Sequence, residues 1–375
     1  MKICFLTENL DISQGWGRSI FNLVVGVREK DVDVLALVEE FANLDFERKA
    51  LSSSIIISAF RSRRFFKESD IINAHDVWPY GVIAFLGSLG LGKKIIITAH
   101  GTYSVAPFYE KGIGGFLKKF LGKLVLKSAD KIIAVSNFTA NEIKKILPEL
   151  AVEVIHWGVD SKRKCQHKDD RIAEVKGMDI KRLKPYILTV GALKYRKGQH
   201  VSLEAFNLIK NEYPDLKYVL VGHYNENDIY KKGLDAQIEK YGIKDKVYFL
   251  KDVSDEELAF LYCHSSLFIL TAVNEENAFE GFGLVYLEAG AFGKPVIGAL
   301  GSGAEDAIID GKTGILVKEG DAKEAKLAME KILKDASFSE YLGTEGKKRA
   351  EEMTWDKTAG NYMKIFKEIY DKKNN

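Results

Sequence analysis

Residues 267–298 read Leu267-Phe-Ile-Leu-Thr-Ala-Val-Asn-Glu-Glu-Asn-Ala-Phe-Glu280-Gly-Phe-Gly-Leu-Val-Tyr-Leu-Glu288-Ala-Gly-Ala-Phe-Gly-Lys-Pro-Val-Ile-Gly298. An apolar run ends near Thr271, and a polar loop follows over residues 274–278. From about Phe282 the pattern turns helical, with Leu284, Leu287, Ala291 and Phe292 available for packing. A second apolar run covers residues 295–298. Two wholly apolar strands joined through a helix belong to a parallel sheet covered on both faces.

The same alternation extends in both directions. Upstream strand candidates are 2–6, 32–37, 71–74, 95–99, 131–135 and 152–156. A second set runs over 186–190, 216–221, 247–250, 267–270, 295–298 and 314–317. Two sets of about six strands predict an α/β chain of two Rossmann-like domains in tandem. A single (β/α)8 barrel is the alternative, and a polar break at 161–184 argues against it. The break carries Lys162, Arg163, Lys164, Lys168, Asp169 and Asp170 and reads as an interdomain connection. The expected division is 1–160, a linker at 161–184, 185–354, and a terminal helix at 355–375. In that helix Tyr362, Ile365, Phe366 and Ile369 lie at helical spacing.

The chain has 375 residues, 46% of them hydrophobic and 29% charged, so a packed core is expected and disorder is not. The net charge of +2 gives no general case for nucleic acid as a partner. Cys4, Cys165 and Cys263 are far apart in sequence. They show neither a disulfide framework nor zinc spacing, and predict a reducing compartment. No segment has the roughly 18–20 apolar residues of a membrane span, and the N-terminus reaches Glu8 without a secretory apolar stretch. The expected location is cytoplasmic.

Several segments carry chemistry. In Glu280–Glu288, Gly281 and Gly283 let a ligand approach the backbone, and the amides of Phe282, Gly283 and Leu284 become phosphate donors at a helix start. Glu288 lies deeper and suits paired hydroxyls such as those of a ribose. A strand–loop–helix corner with exposed carboxylates would read the same way. Gly191-Ala-Leu-Lys-Tyr-Arg196-Lys197-Gly198 places a basic pair at the end of a parallel strand, where open α/β sheets bind ligands. Arg196 and Lys197 suit phosphate oxygens, and a solvated basic turn is the plainer reading. Gly15-Trp16-Gly17, after Gln14 and the first strand, permits close contact with a diphosphate or simply makes a turn.

His100 ends an apolar strand, where its imidazole can bond a hydroxyl or sit satisfied in the core. His75-Asp76 ends another strand, positioned to contact an acceptor or to cap the next helix through Asp76. Residues 111–127, KGIGGFLKKFLGKLVLK, hold five Lys and no acid. On a helical wheel Phe116, Leu117, Phe120, Leu121, Leu124 and Val125 share one face. Lys118, Lys119, Lys123 and Lys127 share the other, with Leu126 as an exception. Such a helix suits an anionic membrane surface, or is an ordinary domain helix with one wet face.

Together these segments resemble the retaining GT-B glycosyltransferases of the glycosyltransferase 4 type. The resemblance covers essentially the whole chain. Its most specific part is the Glu-x7-Glu pattern at Glu280 and Glu288 within EGFGLVYLEAGAFGKPVIG, continued by GSGAEDAIIDGKTGILV. ILTVGALKYRKG and ADKIIAVSNFTANEI match further family segments. It implies two Rossmann-like domains facing each other across a cleft, with the donor mainly on the second, the acceptor mainly on the first and the terminal helix crossing back to the first.

The resemblance also implies roles. His100 and Glu280 would act beside the donor sugar as the catalytic residues. Gly15, Gly17, Gly191, Arg196, Lys197, Phe282, Gly283 and Leu284 would hold the diphosphate. Glu288 would take the ribose, and Val253, in the loop after 247–250, the base. No metal or other cofactor is implied. The implied reaction is metal-independent transfer of a hexose from a nucleotide sugar, UDP- or GDP-linked, to a glycolipid, polysaccharide or small sugar. This is the chemistry of cell-envelope glycans, and Lys118, Lys119 and Lys123 would form a membrane or acceptor surface. An epimerase or phosphorylase on the same scaffold, or a non-catalytic nucleotide-sugar binder, are the other readings. The chain departs from the family at Trp16, within the glycine turn, and at His156-Trp157-Gly158, where Pro-Asn-Gly is commoner. Gly303, preceded by Ser302, stands where a Gly-Gly pair is usual.

Overall fold

In the computed structural model, which describes residues 1–13, 15–161, 165, 174–179 and 183–374, the apolar runs become two parallel sheets. The first contains β1 (Lys2–Thr7), β2 (Asp33–Val38), β3 (Glu47–Lys49), β4 (Ile71–His75), β5 (Lys94–Ala99), β6 (Lys131–Ala134) and β7 (Val152–Val154). Its order is β3-β2-β1-β4-β5-β6-β7. A short antiparallel pair, β8 (Glu174–Val175) and β9 (Met178–Asp179), precedes the second sheet. That sheet holds β10 (Tyr186–Val190), β11 (Lys217–Val221), β12 (Val247–Leu250), β13 (Leu267–Leu270), β14 (Val296–Ala299) and β15 (Gly314–Val317), ordered β12-β11-β10-β13-β14-β15. The edge strand β3 escaped the sequence reading because Glu-Arg-Lys carries no apolar signal.

In both sheets the strand order reverses beside the first strand of the set, between β1 and β4 and between β10 and β13. Open α/β sheets bind ligands outside the carboxyl ends of the strands at such a point. His75 ends β4, and the basic turn follows β10.

The chain divides into two compact units, Met1–Gly158 with Trp355–Asn375, and Val159–Thr354. In the first, the helix Gly15–Arg28 and the terminal helix Trp355–Asn374 cover the sheet. Tyr362, Ile365, Phe366 and Ile369 are all buried there, and Phe366 meets Phe5 edge-on at 6.1 Å. In the second, the helices Gln199–Ile209 and Ala322–Lys334 supply Phe206, Ile209, Met329 and Ile332 to a core shared with Ile187, Leu220 and Ile269. The expected linker at 161–184 lies largely outside the described residues.

One expectation is corrected. Cys165 and Cys263, 98 residues apart, form a disulfide with Cα atoms at 5.5 Å, and Cys4 is the free, buried thiol. Their separation in sequence gave no sign of it, because proximity is created by the fold. The expectation of unpaired cysteines, and the reducing compartment drawn from it, is withdrawn. The helix at 111–127, observed as Gly112–Ser128, packs through a glycine edge between its two wheel faces, with its lysines exposed or half-buried. It buries Gly115, Gly122, Val125 and Leu126, and exposes Ile113, Phe116, Leu117, Phe120 and Leu124. Glycine decides this: a side chain at Gly122 would strike the Phe108 ring, and one at Gly115 the Glu110 carbonyl. Among the described residues no helix is long and apolar enough to cross a membrane.

Candidate functional site

The first group of predicted residues assembles around the carboxyl ends of β10 and β13. After β10 the chain passes Gly191 and enters a one-turn helix, Tyr195–Lys197, before the helix Gln199–Ile209. Gly198 joins the two with φ 66°, and a Cβ there would land on the Thr271 carbonyl. The turn is therefore pressed against the end of β13, and the Val273 amide donates to the Arg196 carbonyl at 3.0 Å.

After β13 the loop is braced by Asn274. Its side-chain amide donates to the Gly301 carbonyl and to Glu319, both at 2.9 Å. The loop then delivers Glu280, whose carbonyl accepts from the Gly303 amide at 2.8 Å. A Cβ on Gly303 would strike the Gly281 carbonyl, so this close approach needs glycine. Gly283 follows with φ 78°, where a side chain would meet the Tyr286 ring, and opens the helix Leu284–Ala291 without a side-chain cap. An uncapped helix start concentrates the positive end of the peptide dipoles.

Both basic residues converge on one oxygen of the buried Glu280. Lys197 Nζ lies 2.5 Å and Arg196 Nη1 3.3 Å from Glu280 Oε2, and Arg196 also donates to the Phe279 carbonyl at 3.3 Å. Burial works to raise the Glu280 carboxyl. Lys197 and Arg196, with the Gly283 amide, outweigh it and hold the group below its ordinary value. Two cations against one carboxylate leave the cluster net positive beside the helix start, which suits a dianionic diphosphate. Just over one turn into the helix, half-buried Glu288 accepts from the Tyr262 hydroxyl at 2.9 Å. Sequence reading missed Tyr262, whose helix, Asp255–His264, carries no motif. Val253 is half-buried in the loop after β12.

The other predicted residues belong to the first unit and gather at the ends of β1, β4 and β5. The helix that follows β1 starts at Gly15, so the Gly15-Trp16-Gly17 segment forms its first turn. Gln14 lies outside the described residues. Gly17 is buried, and a Cβ there would strike Asn9 and the Asp11 backbone, whereas Gly15 opens onto free space. His100 is 8% exposed. Trp16 meets it edge-on at 4.6 Å and Trp157 lies at 4.8 Å, so the two departures from the family pattern enclose the same imidazole. Asp76, buried with φ 77°, accepts from the His100 amide at 3.1 Å and from the Ser104 hydroxyl. Burial pushes its carboxyl up to about 7 despite these bonds. A non-glycine residue held at such a φ is a strained position of the kind that collects at functional sites. Lys118 pairs with Glu110 at 2.7 Å on the helix Gly112–Ser128, and Lys123 is exposed.

Comparison with known proteins gives the family and the fold. The model for "Glycosyltransferase Family 4" matches residues 14–163, and that for "Glycosyl transferases group 1" matches 170–349. An uncharacterised glycosyltransferase of Methanocaldococcus jannaschii is 26% identical over 335 residues, 88% of this chain and 85% of the relative. A GDP-mannose-dependent alpha-(1-6)-phosphatidylinositol monomannoside mannosyltransferase of Mycolicibacterium smegmatis is 26% identical, over 77% of this chain and 74% of its own. Anabaena HepE, solved with UDP-glucose, superposes with a TM-score of 0.81 at 18% identity, covering 98% and 100% of the two chains, and gives the fold as GT-B. With both family models matched in order across most of the chain, this protein belongs to the glycosyltransferase 4 family (glycosyl transferases group 1), retaining hexosyltransferases that use nucleotide sugars.

Proposed function

We propose that this enzyme takes a hexose from a uridine or guanosine diphosphate sugar and transfers it to a hydroxyl of a glycolipid, polysaccharide or small sugar. The observation that carries this reading is the convergence of Arg196 and Lys197 on Glu280 beside the uncapped start of Leu284–Ala291. In this reading Arg196, Lys197 and the amides of Phe282, Gly283 and Leu284 hold the diphosphate, and Gly191 and Gly15 leave room for it. Gly17 already has a packing reason to be glycine. Glu288, oriented by Tyr262, takes the ribose hydroxyls, and the loop at Val253 takes the base. Glu280 and His100 stand beside the transferred sugar. The two cations and the helix dipole stabilise charge on the leaving diphosphate. Residues 185–354 carry the donor and 1–160 the acceptor.

The GDP-mannose dependence of the mycobacterial relative and the UDP-glucose complex of HepE support keeping both bases. The phosphatidylinositol mannoside acted on by the mycobacterial relative supports a lipid-linked acceptor. The surface of the first unit supports the same acceptor. Ile113 is 91% and Phe116 72% exposed on Gly112–Ser128, and Phe60 is 82% exposed on the helix Ile55–Glu68. The helix Val82–Ser88 packs against both of these helices. Apolar side chains among Lys119, Lys123, Lys127, Arg61 and Arg64 suit an anionic lipid surface.

Calorimetric titration with UDP, GDP and ADP tests the donor site. Saturable binding of one nucleotide is expected, weakened by about 1–3 kcal/mol in Glu288→Ala, the scale of losing charged hydrogen bonds. Binding of no nucleotide, or unchanged affinity in Glu288→Ala, overturns the assignment.

A further inference from the structure

His75 has no part in the reading above, yet it is the direct partner of His100. It ends β4, and His100 follows β5. The two strands pair in parallel with His75 opposite Thr98, which brings the imidazoles together from neighbouring strands. Their rings stack at 4.9 Å with 15° between planes, and His75 Nδ1 lies 2.7 Å from His100 Nε2. The remaining nitrogens, His75 Nε2 and His100 Nδ1, are buried with no hydrogen-bond partner among the described residues. The indole nitrogens of Trp16 and Trp157, which close over His100, are in the same condition. Buried polar atoms without partners are uncommon and costly, and they collect where a ligand group completes them.

A hydrogen bond between two neutral imidazoles holds one proton. If His75 Nδ1 carries it, the proton of His100 must sit on Nδ1, and that nitrogen is a donor. If His100 Nε2 carries it, His100 Nδ1 is a bare acceptor, and the proton of His75 moves to Nε2. Burial keeps both rings neutral, holding His75 down at about 3 and His100 well below its ordinary value, with the neighbouring His75 adding to the effect. The pair therefore shares a proton instead of gaining one. The neighbouring Asp76 carboxyl is directed at the His100 amide and the Ser104 hydroxyl.

We propose that His75 is a positioning residue that sets, through one shared proton, whether the free ring nitrogen of His100 donates to or accepts from a hydroxyl of the transferred sugar. The inference rests on the placement of His100 beside that sugar in the reading above. His75 fixes the ring, Asp76 fixes the backbone, and Trp16 and Trp157 keep water from substituting for the sugar hydroxyl. A nucleoside diphosphate has no sugar at this position, so its affinity is independent of His75.

The test compares the full-length wild type with His75→Leu, which removes the bond, and His75→Asn, whose amide can reach the place of Nδ1. Imidazole 15N spectra should show His100 as one tautomer in the wild type and as a mixture in His75→Leu. With the nucleotide sugar as substrate, kcat should fall on the order of tenfold to a hundredfold in His75→Leu, the scale on which losing an outer partner of a site histidine acts. The affinity for the free nucleoside diphosphate should stay unchanged, and His75→Asn should recover most of the loss. A His75→Leu protein with wild-type kcat overturns the proposal. So does a His75→Asn protein no better than His75→Leu, or a wild type in which His100 samples both tautomers equally. A wild type that binds no nucleotide would instead overturn the functional reading beneath it.

Discussion

Lys197 and Glu280, 83 residues apart in sequence, meet at 2.5 Å with side chains only 14% and 9% exposed. A nearly buried ion pair is a weak source of net stability, because desolvation opposes the attraction, but losing one member leaves a buried charge unpaired. Its effect here is to hold two cations beside the helix start.

Glu280→Gln should therefore lower the stability of the free protein by on the order of 3 kcal/mol, since Lys197 and Arg196 lose their counter-charge. A bound nucleoside diphosphate supplies that charge, so it should raise the melting temperature of the variant more than that of the wild type. The pH dependence has a definite sign. The Glu280 carboxyl is held below its ordinary value of about 4.5, so its contribution is complete above that pH and is lost as pH falls through the lowered value. Denaturant titrations between pH 3 and 6 should show a smaller acid loss in Glu280→Gln. Parallel curves would mean that the carboxylate is not held by the basic pair.

Gly283→Ala tests the helix start. The position has φ 78°, and the new methyl would meet Tyr286, whose hydroxyl is tied to the Leu270 carbonyl at 2.6 Å. Strain at such a φ alone costs about 1–3 kcal/mol. A lower melting temperature together with weaker nucleotide binding is expected. Loss of stability with unchanged affinity would separate the turn from the donor site.

Reduction of Cys165–Cys263 should destabilise the enzyme by about 2–4 kcal/mol, because the bridge closes a long loop in the unfolded chain. Cys263→Ser should reproduce the effect of reductant and become insensitive to it. Identical denaturation midpoints with and without reductant would show that the bridge contributes nothing.

The basic apolar surface predicts retention on anionic vesicles that falls with salt. Ile113→Ser and Phe116→Ser, both on exposed positions, should reduce retention without changing the melting temperature. Equal retention on neutral and anionic vesicles at low salt would count against an electrostatic membrane contact.

Much of this was legible before any coordinates. All twelve apolar runs became strands, because a strand buried on both faces must be apolar along its length. Arg196, Lys197, Glu280 and Glu288 were found from motif and spacing, since backbone donors, glycines and charges must follow one another closely in a phosphate-binding turn. Tyr262 was not singled out, and the pairing of His75 with His100 was not foreseen, because each reaches its partner from a different element and carries no local signature of that contact. On the helix Gly112–Ser128 the two faces were legible, but the packed edge between them was not. A wheel ranks residues by hydrophobicity, whereas Gly115 and Gly122 bury a face by letting other groups come close.

The sequence by itself determined what depends on neighbours along the chain: strand periodicity, turn chemistry, the family resemblance and the candidates for a donor site. The tertiary structure alone decided what depends on groups brought together from afar. Those are the pairing of Lys197 with Glu280, the stacking of His75 on His100 beneath Trp16 and Trp157, the Cys165–Cys263 bridge, and the apolar face that Gly112–Ser128 leaves exposed. Local pattern is set by bonds between consecutive residues, but each of these contacts is set by how helices and strands pack.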